Sequence, residues 1–129
     1  MPETTRARRV AIADGSTAFL DAAATYVSTL PGFTLAGTAR TEPQTVELVQ
    51  SAMPDVLILD LGIGQRKGLE LVRRLKATPA APVIVALSLF YSPQALAAAR
   101  RAGADELVGK ERFIHGLSQA FARLFPGVA

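Results

Sequence analysis

Five times along its 129 residues the chain repeats one pattern: a short apolar run, then a stretch whose apolar residues recur at helical spacing. The runs are RVAIAD (9–14), FTLAGTA (33–39), DVLILDL (55–61), PVIVALSL (82–89) and DELVG (105–109). Their length and aliphatic content read as strands. Between them, Phe19, Ala22, Ala23, Tyr26, Val27 and Leu30 mark a first helix, which Pro31-Gly32 ends. Thr41 caps a second, with Val46, Val49 and Met53 on one face and Pro43 in its first turn. Leu69, Val72 and Leu75 mark a third. Ser92-Pro93 cap and start a fourth, which stops at Gly103, and Leu117, Phe121 and Leu124 form the apolar face of a fifth. Strands separated by helices pair in parallel through crossovers, with helices packed on both faces of one sheet. The expected fold is therefore α/β, a doubly wound five-stranded parallel sheet flanked by five helices. One domain is expected over 1–129, with its core at about 8–125.

Several function classes drop out on composition. There is no cysteine, so no disulfide, thiolate metal site or cysteine nucleophile. The basic segment at the start leads into an apolar run that stops at Asp14, too short for a signal peptide, and Pro82 interrupts the longest apolar window. No membrane association and a cytoplasmic location are expected. The net charge of +3 comes from bases scattered in short pairs, among them Arg8-Arg9 and Arg100-Arg101. They read as a solvated outer face, with no direct nucleic-acid binding by this domain.

In doubly wound sheets ligands bind beyond the carboxyl ends of the strands. Asp14, Asp60, Ser88 and Lys110 stand there. The glycines after Asp60 do not make a nucleotide site. Gly62, Gly64 and Gly68 are spaced G-x-G-x-x-x-G, one residue too long for a dinucleotide turn, and no Lys-Ser or Lys-Thr follows them. Taken singly, each of the four polar residues has a bland alternative as a cap, a strand end or a solvated loop residue. Taken together they bring two carboxylates side by side, which repel and usually need a cation between them. Oxygen ligands without thiols favour a hard ion such as Mg²⁺. A nucleophilic carboxylate, a cation, a hydroxyl and an ammonium form a site for a phosphoryl group on a carboxylate.

Over nearly its whole length, about residues 8–125, the chain resembles the receiver domain of two-component response regulators. The resemblance rests on Asp60 ending DVLILD, Gly68 eight residues later, Ser88 in PVIVALS and Lys110 in GADELVGK. It implies the strand order 2-1-3-4-5 of the flavodoxin-like fold. It implies that Asp60 accepts a phosphoryl group from a histidine kinase or a histidine phosphotransfer protein in a phosphorelay. It further implies that Asp14, Asp60 and the backbone carbonyl of Gly62 bind Mg²⁺, that Ser88 and Lys110 bind the phosphoryl oxygens, and that no residue is catalytic in an enzyme's sense. The face of the fourth helix, fifth strand and fifth helix would then switch its partners, with a homodimer as one use of it. Ser88, and the lack of proline after Lys110, look more like receivers that precede helix-turn-helix output domains.

Three departures stand out. Gly15 occupies the place of the family's second acid, normally a direct metal ligand, so Mg²⁺ is expected to bind weakly. Leu107 replaces the aromatic switch residue. Gly64 replaces a proline, which loosens the loop but keeps its turn. The alternative reading is a degenerate receiver acting as a phosphorylation-independent interaction module. An aspartyl-phosphate phosphatase is disfavoured, because such enzymes need an acid where Gly62 stands. Lys110 is expected to pair with Asp60 at rest, as a partly exposed pair contributing about 0–1 kcal/mol. His115, the only histidine, reads as a solvated surface residue, and Tyr91 follows the loop after the fourth strand.

Overall fold

The computed structural model describes residues 6–127. Its elements run β1 (Arg8–Ala13), α1 (Thr17–Ser28), β2 (Phe33–Ala39), α2 (Glu42–Ala52), β3 (Val56–Asp60), α3 (Ile63–Arg66), α4 (Gly68–Lys76), β4 (Val83–Ser88), α5 (Pro93–Ala102), β5 (Glu106–Gly109) and α6 (Phe113–Leu124). A 3-10 turn, Lys110–Arg112, joins β5 to α6. The sheet order is β2-β1-β3-β4-β5 and every pairing is parallel. Both match the sequence reading.

Period-2 alternation along the strands feeds two cores. Ala11, Ala13, Leu57, Leu59, Ile84 and Ala86 face α2, α4 and α5, where Leu71, Val72, Leu75 and Ala99 are buried. Val10, Ile12, Val56, Ile58, Val85 and Leu87 face α1 and α6, where Leu20, Val27, Leu117 and Phe121 close the other side. The central strands are buried on both faces, as apolar parallel strands must be.

The helix starts follow their capping chemistry. Thr41 and Ser92 accept from the backbone N–H groups of Gln44 and Ala95, and Gly103 ends α5 at φ 111°. The buried faces differ in detail from the pattern. On α1 Leu20 is buried and Ala22 exposed. On α2 the inner positions are Thr45 and Val49, whereas Met53 is the left-handed C-cap at φ 46° and 60% exposed. A helix that turns left-handed at its last residue swings that side chain off the apolar face.

Six helices flank the sheet rather than the expected five, and the added one, α3, is a single turn. Gly64, Gln65 and Arg66 have φ of 61°, 62° and 71°, and the turn closes through Arg66 N–H to Gly62 O and Lys67 N–H to Ile63 O. Proline is locked near φ −65° and cannot stand at residue 64 in this turn. Gly64 therefore changes the hand of the loop rather than only loosening it. Gly68 is required for a different reason: a Cβ there would stand 2.6 Å from Leu61 O and closer still to its Cα. The α4 backbone lies directly against the end of β3.

Candidate functional site

The register explains why two acids meet. Ala13 pairs with Leu59, so the next residues, Asp14 and Asp60, end neighbouring strands together. Asp14 is 1% exposed. Its Oδ1 accepts from Ser16 N–H at 2.8 Å, in the turn that lets Ser16 cap α1. Its Oδ2 is buried and has no hydrogen-bond partner. The Lys110 ammonium lies 2.6 Å from that oxygen, a charge contact without hydrogen-bond geometry.

Asp60 is held by Gly62 N–H on Oδ1 at 3.2 Å, and its Oδ2 lies 3.5 Å from Lys110 Nζ. Burial pushes its carboxyl above the ordinary carboxylate range; the Gly62 N–H opposes the shift, the Asp14 charge adds to it, and Lys110 opposes it. Lys110 thus pairs with Asp60 as expected and also, more closely, with Asp14, a partner the sequence reading did not give it. The ammonium also lies 4.7 Å from the centroid of the Phe19 ring, which Phe113 meets edge-on at 5.0 Å. Sequence reasoning gave Phe19 only a packing role; nothing in its helical spacing signals a cation above it.

Ser88 ends β4 opposite Gly109. Its hydroxyl donates to the Phe90 carbonyl at 2.6 Å and is committed to its own loop. Leu107 is 3% exposed within the α4–α5 core. Burial of that size is worth about 1.5–3 kcal/mol, so Leu107 is packing and not a side chain free to swing. Glu111 was missed. Its Oε2 accepts from Tyr91 N–H at 3.2 Å, tying the loop after β4 to the end of β5. The one signal for it was the acid following Lys110 directly. Tyr91 and His115 both line a cleft at the β5 edge rather than the acidic pocket.

The donor set for a cation is small. Among the described residues no three His, Cys, Asp or Glu side chains cluster as a metal site. The Gly62 carbonyl already accepts from Arg66 N–H. The buried, hydrogen-bond-free Oδ2 of Asp14 beside the Asp60 carboxylate nevertheless fits a hard cation. At Gly15 no third carboxylate stands, and a Cβ there would meet only Arg40 O, at 3.9 Å.

Residues 10–121 match the family described as response regulator receiver domain. Among curated proteins, a protein-glutamate methylesterase/protein-glutamine glutaminase of Myxococcus xanthus is 37% identical over 103 residues, covering 79% of this chain and 30% of that protein. The nitrate/nitrite response regulator NarL of Escherichia coli is 31% identical over 100 residues, covering 74% and 46%. The chain thus spans less than half the length of these relatives. In structure it resembles the isolated receiver domain of RcsB from Salmonella enterica solved with beryllium fluoride, with a TM-score of 0.82 at 21% identity, covering 95% of this chain and 91% of that one. A LuxR-family response regulator from Aurantimonas gives 0.84 at 20% identity, covering 95% and 87%. These two likenesses show the fold. No helix among the described residues is long and apolar enough to cross a membrane.

Proposed function

Because the chain belongs to the response-regulator receiver family, we propose that Asp60 is its phosphoacceptor and that Ser88 and Lys110 receive the phosphoryl group. Receiver domains work with histidine kinases or phosphotransfer proteins in phosphorelay signalling. Here an Asp60 oxygen would attack the phosphorus of a phosphohistidine; the P–O bond forms as the P–N bond breaks, and the imidazole leaves. The observation that carries the reading is the Lys110 ammonium spanning two strand-end carboxylates, 2.6 Å from Asp14 and 3.5 Å from Asp60. The Gly62 N–H orients Asp60 by holding Oδ1. The new group adds close to two negative charges and three acceptor oxygens. Lys110 then has a stronger partner than Asp14, and the Ser88 hydroxyl gains a reason to leave Phe90.

Receiver domains bind Mg²⁺ at the phosphorylation site as a rule. In this chain Asp14, Asp60 and the Gly62 carbonyl would hold it, weakly for want of an acid at Gly15. When bound, the ion supplies charge neutralisation at the transferring group. The domain itself is read as non-enzymatic. An effector activity like those named for the longer relatives would belong to chain outside it. Self-association through α5, β5 and α6 is the proposed response to the switch.

Incubation with acetyl phosphate and Mg²⁺, followed by intact mass, tests the reading. One phosphoryl adduct is expected on wild type and none on Asp60→Asn. No adduct on wild type would favour the phosphorylation-independent interaction module; an adduct surviving in Asp60→Asn would move the chemistry elsewhere.

A further inference from the structure

Between Ser88 and the cap of α5 stand Leu89, Phe90 and Tyr91, three large apolar residues that are all more than half exposed. Packing holds such a segment only weakly, and its hydrogen bonds matter correspondingly more. Two of them grip one peptide unit from opposite sides. The Ser88 hydroxyl donates to the carbonyl of Phe90, and the Glu111 carboxylate accepts from the N–H of Tyr91, the other end of the same amide. Glu111 reaches it by folding back over Gly109. A Cβ at residue 109 would stand 2.8 Å from Tyr91 N and collide with the Glu111 carboxylate.

We infer that Glu111 is a positioning residue that holds Ser88 in its resting state, an inference that rests on the proposed phosphoryl site. A carboxylate drawing on an amide N–H polarises that amide and makes its carbonyl a better acceptor. Glu111 therefore strengthens the bond by which Phe90 keeps the Ser88 hydroxyl. That hydroxyl has one proton and cannot donate to Phe90 and to a phosphoryl oxygen at once. Every gain in the Phe90 bond is thus a cost to the phosphorylated arrangement. The gripped peptide also carries Tyr91 onto the rim of the cleft at the β5 edge, about 460 Å³ in volume, which Leu107, Arg112 and Arg123 also line. Release of the peptide would alter that face without any movement of Leu107.

Two NMR measurements on the full chain test this: exchange of the Tyr91 amide without any phosphodonor, and the midpoint of a beryllium fluoride titration with Mg²⁺. In Glu111→Ala the amide should exchange about 2- to 10-fold faster, the range a single net hydrogen bond allows. The midpoint should fall by about 2-fold or more, since Ser88 is no longer held as firmly. Glu111→Gln keeps an accepting oxygen without the charge and should fall between wild type and Glu111→Ala in both. Gly109→Ala keeps the acid but denies it its place, and should behave like Glu111→Ala. Unchanged Tyr91 exchange in Glu111→Ala, a midpoint that rises, or Glu111→Gln matching Glu111→Ala would each overturn the inference. If beryllium fluoride binds none of the proteins, the phosphoryl-site reading fails and the role in switching goes with it. Faster Tyr91 exchange in Glu111→Ala would then mark the bond as structural only.

Discussion

Removing the Lys110 ammonium should destabilise the fold well beyond what an exposed ion pair implies. Asp14 is 1% exposed, its Oδ2 has no hydrogen bond, and Lys110 Nζ at 2.6 Å is the cation facing it. The Lys110 side chain is itself only 19% exposed. Lys110→Ala leaves a buried carboxylate whose one described hydrogen bond is the Ser16 N–H. A buried polar group without its partner costs about 1–3 kcal/mol, and breaking a fully buried ion pair about 3–5 kcal/mol. The Ser16 bond and the partial exposure of Lys110 put the expected loss between these, at roughly 2–4 kcal/mol.

Urea denaturation measures the loss directly, with an unchanged slope as the sign that the transition remains two-state. A double-mutant cycle isolates its origin. On an Asp14→Asn background the most buried charge is gone and only the longer contact to Asp60, at 3.5 Å, is lost, so Lys110→Ala should cost at least about 1 kcal/mol less than it does in wild type. A single mutant within about 0.5 kcal/mol of wild type would refute the reasoning, because the stranded carboxylate would then cost nothing. Equal losses on both backgrounds would refute it too, by making the effect one of packing against Phe19.

Two further outcomes follow from the pocket. Burial holds the Asp60 pKa above that of the unfolded chain, so the stability tied to its proton is fully present below the unfolded pKa and lost as pH rises through the folded one. Asp60→Asn should therefore melt higher than wild type at neutral pH, with the gap closing on the acid side of the carboxylate range; a gap independent of pH would dismiss titration as its cause. Gly15 is exposed, has no left-handed φ, and a Cβ there would meet nothing closer than Arg40 O at 3.9 Å, so Gly15→Asp should fold normally and tighten Mg²⁺ by at least about 10-fold in a calorimetric titration. Equal affinities would mean that another ligand already fills the place.

The fold was legible because burial of large apolar surfaces decides it. Val10 to Ala13, Val56 to Leu59 and Ile84 to Leu87 are all fully buried, and no rearrangement of a loop could reverse that. The strand-end residues were legible for a related reason: parallel register carries Asp14 and Asp60 to adjacent positions whatever their side chains then do. The partners of those side chains were not legible. Lys110 has two carboxylates within reach, and the choice of Asp14 rests on a difference of about 1 Å between 2.6 and 3.5 Å. Ser88 could donate to several oxygens and takes the backbone carbonyl of Phe90, two residues on. Residue type states what a group can bond, and only the settled backbone states which partner it meets.

Gly64 shows where that backbone information is lost. From sequence, glycine in place of proline reads as added freedom, because glycine permits more conformations. In the fold it sits at φ 61° and is followed by Gln65 and Arg66, also left-handed. Two successive non-glycine residues in that region cost about 1–2 kcal/mol each, which the turn's two closing hydrogen bonds partly offset. That turn engages the Gly62 carbonyl through Arg66 N–H, the same carbonyl the resemblance assigns to a metal. The departures at Gly15 and Gly64 therefore bear on one function from two sides. One omits a carboxylate, and the other turns a remaining ligand toward its own loop. The proposed weak binding of a cation would then rest on backbone conformation as well as on charge, and restoring the acid at residue 15 addresses only the second.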